Sequence, residues 1–201
     1  MQTTVKMNVQ LILKEITSFR KGNRFILGLD GLSRSGKTTI AEELSKHLEE
    51  KNIPFYVFHM DDHIVERKKR YHTGREEWFE YYYLQWDIPW LSTHFFEKLR
   101  FSNKFELPFY CNSCDTVSYR TLSIPDGAVV VIEGVFLQRE AWLNYFDSLV
   151  FIECSRETRF LRESTDTQVN INKFKERYWK AEDYYLETEC PKKKANLVLQ
   201  G

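Results

Sequence analysis

The residues best suited to chemistry lie in one run, Gly31-Leu32-Ser33-Arg34-Ser35-Gly36-Lys37-Thr38, which satisfies G-x-x-x-x-G-K-[ST] at every fixed position. Glycines let such a backbone curl so that its N–H groups point at phosphate oxygens, and a helix starting there adds its positive N-terminal end. Lys37 then neutralises the outer phosphates, and the Thr38 hydroxyl takes one coordination place on Mg²⁺. The apolar run before this segment and the helical spacing after it separate it from a chance glycine turn with a solvent-facing lysine. The pattern predicts that Gly31, Ser33, Arg34, Ser35, Gly36, Lys37, Thr38 and Thr39 bind a nucleoside triphosphate.

Moving that phosphate onto a hydroxyl takes a group that accepts the hydroxyl proton, and an ionised aspartate serves. Phe58-His59-Met60-Asp61-Asp62-His63 follows an apolar run and puts two such candidates at a strand's carboxyl end; taken singly, either fits a helix cap equally. Glu133 ends a strand of valines and isoleucine, where a carboxylate costs desolvation unless hydrated Mg²⁺ or the Lys37 ammonium partners it. Arg159 and Arg162, three apart on a helical segment, share a face and suit closure over a transferring phosphate; surface salt bridges are the alternative.

These groups need a frame. Residues 25–30, 54–60, 128–133 and 148–153 are short, nearly continuous apolar runs that read as strands buried on both faces. Ile40, Leu44 and Leu48 recur every four residues, and 139–146 and 169–186 also have helical spacing, as does the amphipathic stretch 1–22. Strands alternating with helices predict an α/β fold with a parallel sheet covered on both sides, and ligands gather at the strands' carboxyl ends. The ring-dense segment 77–86 reads mostly as one packed stripe.

Composition narrows the classes. A chain of 201 residues with 42% hydrophobic, 15% aromatic and 29% charged residues suits one globular domain and excludes a disordered, collagen-like or coiled-coil chain. Lys and Arg total 29, as do Asp and Glu, so no global field draws the chain to nucleic acid or an anionic membrane. No stretch approaches the roughly 20 apolar residues of a membrane helix. Four scattered cysteines, including a lone Cys111/Cys114 pair with no second pair to complete a zinc site, predict a reduced, cytoplasmic protein. No motif specifies an oligomer.

Several weaker motifs follow the phosphate loop in order. Asp61-Asp62-His63-Ile64 stands where D-x-F-Y is found at a second strand's end, and Gln85-Trp86-Asp87-Ile88-Pro89 where N-[FW]-D-x-P is found. Leu107-Pro108-Phe109-Tyr110 matches P-x-Y, Val131-Ile132-Glu133-Gly134-Val135 matches V-x-E-G-I, residues 151–162 match the opening of an arginine-bearing lid, and 195–199 match a final strand. In these the chain resembles the uridine kinase/phosphoribulokinase-like group of P-loop kinases, which includes nicotinamide riboside kinases. The resemblance implies a three-layer P-loop sandwich with a mainly parallel, five-stranded sheet and a small lid. It implies a single kinase domain over 1–201, with an N-terminal helix at 1–22, an acceptor-side insertion at 61–125 and a short lid region at 155–168. It also implies ATP as co-substrate, Mg²⁺ and a small-molecule hydroxyl acceptor. By matching position, Asp61 becomes the general base, Asp87 and Tyr110 contact the acceptor, and Thr38, Glu133 and Asp61 hold Mg²⁺, while Lys37, Arg159 and Arg162 act on the transferring phosphate. Asp87, two residues before Pro89, fits a helix N-cap equally well.

Three departures bear on this reading. The histidine that reads the pyrimidine after P-x-Y is replaced by Cys111-Asn112-Ser113-Cys114-Asp115, and His63 replaces an aromatic ring. The acceptor range therefore extends from uridine and other ribosides to polyols, sugars and sugar phosphates. After Arg162 come Glu163 and the uncharged or acidic Ser164-Thr165-Asp166-Thr167, a shortened lid that leaves Arg34 as another phosphate-side arginine and permits a nucleotide-binding regulatory protein. The charge run at 66–70 suits an anionic substrate or a solvated face.

Overall fold

The computed structural model describes residues 2–19 and 24–201. Five strands form one parallel sheet: β1 (Phe25–Gly31), β2 (Phe55–His59), β5 (Val129–Gly134), β6 (Ser148–Glu153) and β7 (Leu197–Gln200), in the order β2-β5-β1-β6-β7. The predicted α/β architecture is present. The first helix, α1 (Gln2–Phe19), covers the segment predicted at 1–22, of which residue 1 and residues 20–22 lie outside the described residues.

Alternate residues of the central strands feed two cores. Leu27, Leu29, Val129 and Val131 pack with Ile12 and Ile16 of α1 and with Leu44 of α2 (Lys37–Glu50). Ile26, Val130 and Ile132 face the opposite layer, where Met60, Trp86, Phe136 and Trp142 pack. Burial on both faces explains the unbroken apolar runs, and each fully buried Leu or Ile contributes about 1.5–3 kcal/mol.

Three segments differ from expectation. Only Glu140–Leu143 of 139–146 is helical. The stretch 169–186 is divided into a short helix (Ile171–Lys173), a π-helical segment (Phe174–Trp179) and a helix (Lys180–Glu189). Within 61–125 lies an antiparallel hairpin of β3 (Lys104–Cys111) and β4 (Thr116–Ser123), whose second strand is largely exposed and so leaves no apolar signal. Its turn joins Cys111 and Cys114 as a disulfide with Cα atoms 5.7 Å apart, which corrects the expectation of a fully reduced chain; Cys154 and Cys190 are free. No helix among the described residues is long and apolar enough to cross a membrane.

Candidate active site

The carboxyl ends of β1, β2 and β5 open into a cleft of about 1270 Å³. The loop after β1 is shaped by two glycines. A Cβ on Gly31 would lie 2.7 Å from Ser35 Oγ and 2.8 Å from Ile152 O, and Gly36, the N-cap of α2, has φ of 102°, which favours glycine. Ser35 N–H donates to Leu32 O at 3.1 Å and closes the turn, while the buried Ser35 Oγ has no partner. That orphaned hydroxyl, at the start of a helix, suits a phosphate oxygen.

Lys37 follows, nearly buried, with Nζ donating to Leu32 O at 3.0 Å. Burial pushes its ammonium down, against the attraction of Glu133, Asp61, Asp30 and Glu182. Opposite it, the β2–β5 register sets His59 beside Glu133. Glu133 Oε1 accepts from His59 Nδ1 at 2.7 Å and from Thr38 Oγ1 at 3.2 Å. Burial raises the Glu133 pKa, but His59, Lys37 and Thr38 together outweigh it and hold this carboxyl below its ordinary value. The bond to Glu133 in turn raises His59. An ionised carboxylate, a threonine hydroxyl and a lysine are thus gathered where nucleotide phosphates with Mg²⁺ would sit; the carboxylate and hydroxyl oxygens fit the metal, and the ammonium suits the phosphates.

Asp61 stands on a 3-10 turn, Met60–His63, directly after β2. It lines the cleft and meets its water, yet the surrounding walls displace enough solvent to raise its pKa; Lys37 opposes the shift, and Glu133 and Asp62 reinforce it. A carboxylate made more basic within reach of the phosphate loop is suited to proton acceptance.

The arginines divide. Arg159 is not poised at the surface. It is 5% exposed, donates from Nη1 and Nη2 to Glu182 at 2.7 and 2.9 Å, and donates from Nη1 to Ser33 O at 3.0 Å. Its guanidinium braces the phosphate loop. Arg162 is exposed, donates to Arg34 O at 3.0 Å and lies 3.9 Å from where a Gly36 Cβ would be. Arg34 turns outward to Glu163 at 3.0 Å. Of Arg159 and Arg162, Arg162 is the one beside the phosphate loop with no carboxylate partner among the described residues.

On the acceptor side, Tyr110 lines the cleft and its hydroxyl donates to Asp115 at 3.0 Å. Asp87 is not brought there. It is the N-cap of the helix Ile88–His94, accepting from Trp90 N–H at 3.1 Å, and its side chain is exposed outside the cleft lining. Replacing Asp87 by Ala is therefore expected to destabilise the fold by about 0.5–2 kcal/mol and to leave the acceptor KM within twofold. Thermal denaturation beside steady-state kinetics checks this, and a large KM increase at unchanged stability would restore the ligand role.

Sequence reasoning gave no role to His59, Gln85 or Glu182. His59 was legible in principle, since a polar side chain two residues before Asp61 ends the same strand. Gln85, in the segment that also carries Asp87, is the member of that segment lining the cleft. Glu182 lies 23 residues beyond Arg159 with no spacing rule to announce it.

Comparison with known proteins follows the same lines. The model of the phosphoribulokinase / uridine kinase family matches residues 26–168. A uridine kinase of Staphylococcus epidermidis is 29% identical over 146 residues, covering 70% of this chain and 67% of that one. A uridine kinase of Lactobacillus helveticus is 27% identical over 142 residues, covering 68% and 64%. The solved structure of a possible uridine kinase from Bacillus stearothermophilus is 51% identical, covers 96% of this chain and 98% of its own, and superposes with a TM-score of 0.86.

Proposed function

Since the chain belongs to the phosphoribulokinase / uridine kinase family, and is with it an ATP-dependent kinase that phosphorylates a hydroxyl, we propose that its acceptor is a riboside or sugar-like polyol and that Asp61 takes the proton. A nucleoside such as uridine is the acceptor that the relatives' names suggest. The observation that carries the reading is the Asp61 carboxylate, raised in pKa and facing Lys37 and Glu133 across one cleft.

The reaction is an in-line displacement. The acceptor oxygen bonds to the γ-phosphorus, the bond from that phosphorus to the β-phosphate oxygen breaks, ADP leaves, and the hydroxyl proton passes to Asp61 and then to solvent. Lys37 and Arg162 offset charge on the phosphates, and Arg159 keeps the loop in shape through Ser33. Mg²⁺, which neutralises phosphate charge when bound, would be held through Thr38 with Glu133 and Asp61 beside it.

ADP formation with Mg²⁺ against nucleosides, other ribosides, sugars and sugar phosphates tests the acceptor class. Stimulation by at least one of them is expected; no stimulation by any would overturn it. The pH profile gives a second check. The base must be ionised, so kcat/KM falls as pH drops through the Asp61 pKa of the free enzyme, and because that pKa is raised, the acid limb lies above the ordinary value of 3.8. No acid limb at all, or one that persists unchanged in the residual turnover of Asp61→Asn, would exclude Asp61 as the base.

A further inference from the structure

The sheet order assigns the two ends of the cleft. The phosphate loop follows β1, and Asp61 and Glu133, at the ends of β2 and β5, lie to one side of it. A transferable phosphate must reach Asp61, so the rest of the nucleotide runs the other way, toward β6 and β7. At that end the cleft is walled by Thr4, Val5 and Asn8 of α1, Thr39 and Ile40 of α2, and Gln200 of β7. None of these side chains is charged, which suits a neutral base and not a further phosphate. Val5 and Ile40 add apolar surface for the face of a ring.

Asn8 is the polar group placed to read that base. It lines the cleft although only 6% exposed, and its Nδ2 donates to Gln200 O at 2.8 Å. A backbone carbonyl only accepts, so this bond fixes which way round the amide sits. Oδ1 is the acceptor left over, and no described residue donates to it. A nearly buried amide oxygen without a donor calls for one from outside the chain. The strand that holds Asn8 is itself seated against the phosphate loop. Gly201 N–H donates to Glu153 O at 2.8 Å, and a Cβ on Gly201 would run into Ser35 O. Asn8 therefore stands at a fixed offset from the groups that take the phosphates.

From this arrangement, and resting on the ATP-dependent kinase reading above, we propose that Asn8 is the residue that selects adenine, its Oδ1 accepting from the exocyclic amine of the base. Asparagine reads the same amine of adenine in nucleic acids. Inosine and guanosine nucleotides carry a carbonyl oxygen in its place, so two acceptors meet. Turning the amide over to donate would break its bond to Gln200 O. Neither α1 nor β7 belongs to residues 26–168, the part matched to the family, so this selection is made by elements outside that part.

Binding needs no acceptor, so the test is titration with ADP, inosine diphosphate and purine riboside diphosphate, which lacks the amine, each with Mg²⁺. ADP is expected to bind about threefold to tenfold more tightly than purine riboside diphosphate, the scale of one hydrogen bond, and about tenfold or more tightly than inosine diphosphate. In Asn8→Ala both ratios are expected to fall to within about twofold of one. Equal binding of the three by the parent, or ratios that persist in the variant, would overturn the inference and leave the kinase reading intact. ADP that fails to bind would overturn both. Should Asn8→Ala fold poorly, the nitrogen-labelled parent decides: the Asn8 side-chain amide resonance is expected to move further with ADP than with purine riboside diphosphate, and equal shifts end the inference.

Discussion

Asp61→Asn is expected to lower kcat by about 10²–10⁴-fold, the span of general-base catalysis, with ATP affinity unchanged or slightly tighter. Asn keeps the shape of the side chain and removes its proton acceptance. It also removes a negative charge that crowds Glu133 and Asp62, so the phosphate side of the cleft becomes less repulsive to ATP. Nucleotide titration beside acceptor-dependent ADP formation separates the two effects. Asp62→Asn is the control, because Asp62 lines the same cleft. Collapse of turnover in that variant instead would move the base by one residue, and full turnover in both would remove aspartate base catalysis from the mechanism.

The second large effect concerns stability. Arg159→Ala leaves Glu182, 2% exposed, as an unpaired buried carboxylate and strips Ser33 O of its donor, a change expected to cost about 3–5 kcal/mol. That is a large share of the 5–15 kcal/mol by which domains are ordinarily stable. Replacing both partners, as Arg159→Met with Glu182→Leu, removes the stranded charge and is expected to recover most of the stability. The phosphate loop stays unbraced in that double variant, so its KM for ATP is expected to remain about tenfold high. Denaturant unfolding and ATP kinetics on the single and double variants decide. A single variant within about 1 kcal/mol of the parent would mean that water already reaches Glu182.

The four strands read from apolar runs were legible because a parallel sheet buried on both faces needs no alternation. The hairpin was not, since β4 pairs through its backbone while Tyr119 and its neighbours face solvent, leaving composition uninformative. At the site, the phosphate loop could be read because its backbone forces particular residue types, as at Gly36. Positions at strand ends, such as Asp61 and Glu133, followed from topology. Arg70, Gln85 and Glu182 did not. Their surroundings arise only in three dimensions, and a buried arginine such as Arg70 looks in sequence like any member of a basic run. Asp87 shows the converse, where one residue type suited two local roles and only the structure reveals that its side chain accepts from Trp90 N–H at 3.1 Å, outside the cleft lining.

One contact ties two elements that lie far apart in the sequence. The Asn8 amide of α1 donates to Gln200 O at 2.8 Å, and Val9, Ile12, Leu13 and Ile16 share their cluster with Leu199. Asn8 and Gln200 are 192 residues apart, so during synthesis α1 emerges well before β7, and its apolar face has no complete resting place until β7 has left the ribosome. That interval exposes a hydrophobic stripe to chaperones and to other nascent chains, and it makes β7 the latch that ends the exposure.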